Sequence, residues 1–306
     1  MFNITKRIVI ALFLFLIVRM PVSAHANPAA EAVLMQQYLY FQKISTLELV
    51  ATERLILGKA VSDKLGVPGY NLASTTSFLS QGSKYYCKCD QVGNDNKIFS
   101  TIWAYNGDVY QTLPVENVLE LTVTRNYSQA SLFSGTHPLG GVFSFAFSLG
   151  DNITIETLCQ SSKWSDLTKK VIDAQEVSMF GKEGTLLTFN NTTILGKEAR
   201  IEVFFASCLN HFPIYFKRTT SNMITEVRVV QTKELNDGLV FPLLIEGRAF
   251  YKDGTLVQEE NIMVDEGSLK INHYIDDKIF TIPFDQVHIY HDIDSNIFLK
   301  NKNLSQ

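Results

Sequence analysis

The feature that most constrains this chain is a long series of short strand-like runs, each broken by residues that favour tight turns. Residues 106–108 (Asn-Gly-Asp), 236–238 (Asn-Asp-Gly) and 252–254 (Lys-Asp-Gly) have the composition typical of hairpin connections. Strands joined by such short turns pair antiparallel. The sequence therefore predicts a mainly β protein built from antiparallel meanders.

The first predicted strand is long and runs from Leu47 to Leu57. Leu47, Leu49 and Ala51 alternate with their neighbours at the period of a strand. Thirteen further runs follow the same pattern. These predicted strands cover residues 74–79, 83–91, 97–105, 108–113, 171–180, 185–189, 199–206, 212–218, 223–232, 239–251, 255–265 and 269–273, and a last one covers residues 278–282.

Two segments break the strand pattern. Residues 29–43 carry apolar side chains three and four positions apart, which predicts an amphipathic helix. Residues 132–170 hold a glycine-rich stretch, an aromatic stretch and then Leu158, Trp164 and Leu167 at helical spacing. We expect a helical insertion there, between two halves of one sheet. Because no linker rich in Pro or Ser divides the chain, residues 27–306 are predicted to form a single domain.

The N-terminus has the three parts of a secretory signal. Lys6 and Arg7 precede an apolar run from Ile8 to Val18, and small residues up to Ala26 follow. The alternative is a membrane anchor, but eleven apolar residues span only about 16 Å as a helix, against roughly 30 Å of hydrocarbon. We therefore expect residues 1–26 to be a signal peptide. The mature protein is then predicted to be soluble, not an integral membrane protein, and periplasmic or otherwise exported.

Net charge excludes some partners. Without residues 1–26 the chain has 24 basic and 31 acidic residues. A nucleic-acid partner is not expected, because neutralising phosphates requires a basic patch. The sequence also contains no contiguous polybasic segment for an anionic membrane.

Four cysteines, Cys87, Cys89, Cys159 and Cys208, allow three complete disulfide pairings in an exported protein. Cys87 and Cys89 lie two apart in a strand-like run and point to one face, so a bond between them would be strained. Bonds to Cys159 or Cys208 are favoured, if any form. The alternative is a metal or redox pair, but the C-x-C spacing fits neither a redox motif nor a zinc site. We predict no metal and no cofactor.

Catalytic signatures are absent from the sequence. It contains no G-x-S-x-G, no phosphate-binding loop and no H-E-x-x-H. His288 and His291 would face opposite sides of a strand and would not converge on a metal. The acidic pairs at residues 259–260 and 276–277 are explained by solvated turns. We therefore predict no catalytic residues and no enzymatic activity.

One aromatic stretch suggests a binding role. Phe143, Phe145 and Phe147 alternate with Ser and Ala, so all three point to one side. In a buried strand they would be ordinary core, and after the glycine-rich stretch they could instead form a flap over an apolar cavity. Ile201, Val203 and Phe205 form a similar one-sided apolar run.

Three short stretches carry a resemblance to a known family. They are residues 102–107 (IWAYNG), residues 237–242 (DGLVFP) and the tail from 269 to 283. With the order of elements, they make the chain resemble the LolA/LolB-like superfamily of envelope proteins, and within it uncharacterised, outer-membrane lipoprotein-sorting-like exported bacterial proteins. The resemblance implies a mainly β fold with a few helices (α+β): a curved, half-open antiparallel β-barrel covered by helices.

The same resemblance implies a function. In characterised relatives the cavity receives acyl chains of lipoproteins, lipids or other apolar ligands, so we expect a soluble envelope protein that binds or carries such a ligand. The alternative is a non-catalytic protein-interaction or sensor module on the same scaffold, with an envelope protein as partner. The predicted ligand-binding residues, chosen from the one-sided alternation, are Trp103, Tyr105, Phe143, Phe145, Phe147, Ile201, Val203 and Phe205.

Overall fold

The computed structural model describes residues 27–67, 69–92, 97–115, 119–125, 161–192 and 198–301. Within them lie the helices α1 (Pro28–Gln42), α2 (Lys59–Lys64) and α3 (Ser161–Thr168). The strands are β1 (Thr46–Leu57), β2 (Asn71–Gln81), β3 (Lys84–Val92), β4 (Ile98–Tyr105), β5 (Tyr110–Val115), β6 (Glu120–Thr124), β7 (Val171–Met179), β8 (Lys182–Thr192), β9 (Glu198–Ala206), β10 (Phe212–Thr219), β11 (Met223–Glu234), β12 (Val240–Tyr251), β13 (Leu256–Val264), β14 (Lys270–Ile271), β15 (Ile289–Asp292) and β16 (Ile297–Lys300).

All of these strands belong to one curved, open sheet. β1 to β6 form one meander and β7 to β13 form a second, each in sequence order. The two meanders join where β1 pairs with β13, with Ala51 opposite Val264. β16 and β7 are the two edges, and the short β14 pairs with β1. The mostly β, open architecture expected from the sequence is therefore confirmed.

The pairing departs from a pure meander at the C-terminus. β15 runs parallel to β6, with Tyr290 opposite Leu121, and β16 then pairs antiparallel with β15. Every other pairing among the described strands is antiparallel. The chain thus returns from the second meander to extend the free edge of the first.

α1 is confirmed close to its predicted bounds. Asn27 caps it by accepting a hydrogen bond from the Ala29 N–H, and Pro28 occupies the first turn, where it has no amide hydrogen to lose. Tyr40 Oη donates to the carbonyl of Val240 at 2.6 Å. Phe41 stacks on Trp164 of α3 with 5.9 Å between ring centroids. The two helices therefore pack on each other, and α1 also contacts the first residue of β12.

One predicted strand is wrong. Residues 278–282 do not pair in the sheet, and Asp277–Phe280 forms a 3-10 turn instead. Asp276 begins that turn by accepting a hydrogen bond from the Lys278 N–H. Residues 277–287, here called the C-terminal strap, cross the sheet face formed by Ala104, Leu113, Leu121 and Val123 and bury Ile282 and Val287 against it. This makes a second, smaller core.

Candidate ligand-binding face

One face of the sheet is buried across the first meander. Leu49 is directly opposite Phe78, Phe78 opposite Cys87, and Cys87 opposite Trp103, so these four side chains share a face. None of them is more than 8% exposed. Thr52, on the other face of β1, is exposed. We call the side that carries Trp103 the buried face.

The second meander continues the buried face. Ile201, Val203 and Phe205 of β9 all lie on it and are at most 4% exposed. A row of residues, each directly opposite the next on the neighbouring strand, connects Val203 to β1 of the first meander. It consists of Phe216, Val227, Gly247, Glu260 and Leu55. These three predicted residues are therefore packed core, eight strands away from Trp103 in the sheet order.

Three tyrosines form a row across neighbouring strands of the buried face. Tyr85, Tyr105 and Tyr110 are opposite one another on β3, β4 and β5. The ring centroids of Tyr105 and Tyr110 are 4.3 Å apart, and those of Tyr85 and Tyr105 are 6.2 Å apart. Tyr105 and Tyr110 are only partly buried. This aromatic row is thus a flat surface on which an apolar chain could pack.

Trp103 lies in the next row of the same face, two residues from Tyr105. Its side chain is 8% exposed, and its indole Nε1–H is buried with no hydrogen-bond acceptor among the described residues. Buried indole N–H groups usually have a partner, and leaving one unpaired costs about 1–3 kcal/mol. The donor therefore faces a position where an oxygen atom would be bound favourably.

Phe143, Phe145 and Phe147 lie outside the described residues, as does Cys159. Among the described residues, Cys87, Cys89 and Cys208 form no disulfide with one another, so the predicted bond to Cys208 is wrong. Burial raises the pKa of both the Cys87 and the Cys89 thiol, so neither is activated as a nucleophile. A bond to Cys159 stays a prediction.

A pair of carboxyl groups also lies on the buried face. Glu53 of β1 and Glu260 of β13 are neighbours there, and Ser74 Oγ is 3.3 Å from Glu53 Oε2. Burial, followed by the charge of Glu53 and a hydrogen bond to it, raises the pKa of Glu260 to about 7. The interpretation of residues 259–260 as a solvated pair is wrong for Glu260. Glu260 is two and four residues before the apolar Ile262 and Val264, and this alternation could have shown from the sequence that it lies on the buried face.

The two histidines near the C-terminus hold strands together. The Leu119 N–H donates to His288 Nδ1 at 3.1 Å, and His291 Nδ1 is 3.6 Å from Glu120 Oε1. Among the described residues, no group of three or more His, Cys, Asp or Glu side chains could hold a metal ion. Within the same part of the chain, no helix has the length and apolar character needed to cross a membrane.

A groove of about 520 Å³ lies on the face opposite the aromatic row. It is lined mainly by exposed side chains of the central strands, among them Arg54, Thr75, Glu246 and Met263. Its lining combines charged side chains with the apolar side chains of Val92, Leu244 and Met263, and it contains none of the predicted ligand-binding residues.

Comparison with known proteins gives likenesses of chain path only. The sequence matches no protein-family model and no curated protein. A DUF1329 family protein from Desulfovibrio piger is similar in structure, with a TM-score of 0.47 and 11% identity over 83% of this chain and 96% of that chain. Lipoprotein LppX of Mycobacterium tuberculosis has a TM-score of 0.32 and 12% identity over 82% and 98%. LprF from Mycobacterium bovis has a TM-score of 0.32 and 6% identity over 81% and 97%.

At these identities and TM-scores we draw neither family nor function from the likenesses. The fold itself defines a class, an open, mostly β-sheet protein with few helices. Membership of the LolA/LolB-like superfamily stays a prediction.

Proposed function

We propose that this protein binds a lipid or an acyl chain on the buried face, beside the aromatic row, and acts without catalysis. The observation that carries the proposal is the buried N–H of Trp103, which has no acceptor among the described residues and lies in the main apolar core. A bare hydrocarbon would leave that donor unpaired, whereas a carbonyl, ester or carboxylate oxygen would satisfy it. The proposed ligand is therefore an acyl compound with its oxygen at Trp103.

The tail of such a ligand gains its affinity from burial. Each CH₂ group removed from water contributes about 0.8 kcal/mol. Tyr105 and Tyr110 offer partly exposed rings at the start of that path. Binding of this kind requires no nucleophile, no metal and no cofactor. With the predicted signal peptide at residues 1–26, the proposal assigns the mature chain to the cell envelope.

The proposal is tested on the protein that begins at residue 27. Lipids extracted from the purified protein are identified by mass spectrometry, and uptake of a fluorescent fatty acid is titrated. We expect Trp103→Phe to weaken fatty-acid binding about fivefold or more, the value of one lost hydrogen bond. Trp164→Phe is the matched control, because Trp164 is the other tryptophan, is equally buried and stacks on Phe41.

Two results would contradict the proposal. One is a wild-type protein that carries no extractable lipid and takes up no fatty acid. The other is equal weakening by Trp103→Phe and Trp164→Phe, which would show a general loss of packing.

A second candidate function is protein interaction through the sheet edge at β16. Asn301 N–H donates to the His288 carbonyl at 2.8 Å, so the register turns the backbone groups of Phe298 and Lys300 outward. Ile297, Phe298 and Leu299 are 46–52% exposed. An apolar edge whose outward backbone groups face no other strand among the described residues can accept an extended strand of a partner protein.

A further inference from the structure

An arginine of β10 lies on the buried face. Arg218 is directly opposite Ile201 of β9 and Thr225 of β11, and it comes two residues after Phe216, which is also on the buried face. Because side chains alternate along a strand, Arg218 is on the same side as Phe216. Ile201 and Phe216 are only 4% and 5% exposed. The arginine therefore lies beside core side chains.

The guanidinium of Arg218 lacks a partner in the part of the chain that the structure describes. Its Nε–H is buried and has no hydrogen-bond acceptor there. Glu202 and Glu226, on the two neighbouring strands, point to the opposite face of the sheet. On that face they are paired with Arg200 at 3.0 Å and with Lys217 at 3.5 Å. The acids beside Arg218 in the sheet are thus used by other cations.

A buried arginine without a partner is unfavourable. The guanidinium keeps its positive charge in proteins, and buried charges are normally paired and hydrogen-bonded. The chain has 31 acidic residues against 27 basic ones, so acids are not scarce. A bound anion would supply the missing partner at Arg218, because the planar fork of N–H groups matches the oxygens of a carboxylate or a phosphate.

The surroundings of Arg218 are those of a headgroup site. Arg218 is the residue before the last of β10, so it lies near one end of the sheet. Thr225 and Gln258 belong to the same row across the strands, are only partly buried, and carry hydrogen-bond donors. Phe216 and Val227, one row further in, are 5% and 6% exposed. A polar end that leads to an apolar interior fits a ligand with an anionic head and an apolar tail.

We infer that Arg218 binds the phosphate or carboxylate group of an anionic lipid whose tail lies along the buried face. Thr225 and Gln258 are in position to donate further hydrogen bonds to that group. Arg218 is seven strands away from Trp103 in the sheet order, so this is a second position on the face. The inference rests on the proposed function only in that the buried face receives a lipid.

Calorimetric titration of the protein from residue 27 tests the inference. Lysophosphatidic acid is compared with the monoacylglycerol of the same acyl chain, which lacks only the phosphate, and with inorganic phosphate. We expect lysophosphatidic acid to bind at least about tenfold more tightly than the monoacylglycerol, the value of a hydrogen bond to a charged group. Arg218→Met should remove this preference. Arg218→Lys keeps the charge without the fork and should retain part of it.

Arg228→Met is the matched control. Arg228 is on the neighbouring strand β11 but is exposed on the opposite face, with its guanidinium carbon 4.3 Å from the centroid of the Phe180 ring. This variant removes the same charge and should keep the preference for lysophosphatidic acid. Thermal unfolding checks that each variant is folded.

The outcomes separate the inference from the proposed function. Equal binding of the two lipids by the wild-type protein would overturn the inference alone, whereas binding of neither lipid would overturn both. Equal loss of the preference in Arg218→Met and Arg228→Met would also overturn the inference. Inorganic phosphate that binds as tightly as lysophosphatidic acid, and only while Arg218 is present, would support the anion site with a free anion as its occupant.

Discussion

Neighbouring glutamates in β13 have opposite environments. Glu259 lies on the exposed side, where its Oε1 is 3.0 Å from Arg248 Nε. Glu260 points to the buried face, next to Glu53 and over Gly247. A Cβ at Gly247 would be 3.6 Å from the Cβ of Glu260, so the two residues are in direct contact across the strands. One step along the strand therefore separates a surface ion pair from a partly buried carboxyl group.

We expect Glu260 to make stability depend on pH. Its pKa is about 7 in the folded protein and 4.5 when unperturbed. The stability associated with its neutral form is complete below pH 4.5 and is lost as the pH rises to about 7, because the unfolded chain releases the proton first. Glu260→Gln should remove this loss and raise the free energy of unfolding near pH 8 by on the order of 1–3 kcal/mol.

Urea unfolding of both proteins at about pH 4 and about pH 8 measures the difference. Glu259→Gln is the control, since loss of an exposed ion pair changes stability by about 1 kcal/mol or less. A gain from Glu260→Gln that is the same at both pH values would contradict the assignment.

At the scale of elements, the buried amide of Gln111 holds the C-terminal strap at Ile282. Gln111 of β5 donates from Nε2 to the Ile282 carbonyl at 3.2 Å and accepts at Oε1 from the Ile282 N–H at 2.9 Å. Its side chain thus makes the two hydrogen bonds that a residue of a neighbouring strand would make. This contact pairs the backbone of Ile282 outside the sheet, although the sequence of residues 278–282 resembles a strand.

Gln111→Met should loosen the strap. Methionine keeps the length of the side chain but leaves the Ile282 N–H and C=O unpaired, which costs about 1–3 kcal/mol. Hydrogen exchange at residues 277–287 should accelerate while β8 and β9 stay protected. Gln231→Met, at an exposed position of β11, serves as the control. An unchanged exchange rate in the strap would refute its dependence on Gln111.

Gly58 fixes the junction between β1, α2 and β13. Its N–H donates to the Val257 carbonyl at 2.8 Å, and a Cβ at this position would collide with the backbone carbonyl of Leu256. Gly58→Ala should lower the free energy of unfolding by roughly 1–3 kcal/mol. Gly267→Ala is the control, because the atom nearest to its added Cβ is 3.5 Å away. In thermal unfolding, Gly58→Ala should have a clearly lower melting temperature than Gly267→Ala.

At the scale of the whole molecule, the sequence predicts those helices and strands that depend on the pattern of neighbouring residues. Alternation of Leu47, Leu49 and Ala51 identified β1, and spacing identified α1. The sequence could not show that Ile282 is hydrogen-bonded to Gln111 or that β15 pairs with β6, because those partners are far apart in sequence. For the site, alternation correctly put Trp103 and Tyr105 on one face. That the Trp103 N–H has no acceptor among the described residues depends on how distant parts of the chain pack, which alternation does not show.

The position of β1 in the middle of the sheet has a consequence for the order of folding. Each meander is made of contacts between neighbours in sequence, but Ala51 must wait for Val264, roughly two hundred residues later. Closing so long a loop is slow and entropically costly, so we expect the pairing of β1 with β13 to be a late step of folding. During synthesis the inner edge of β1 therefore stays unpaired until nearly the whole chain has emerged. A chain that crosses a membrane before folding would never present that edge prematurely to the cytoplasm.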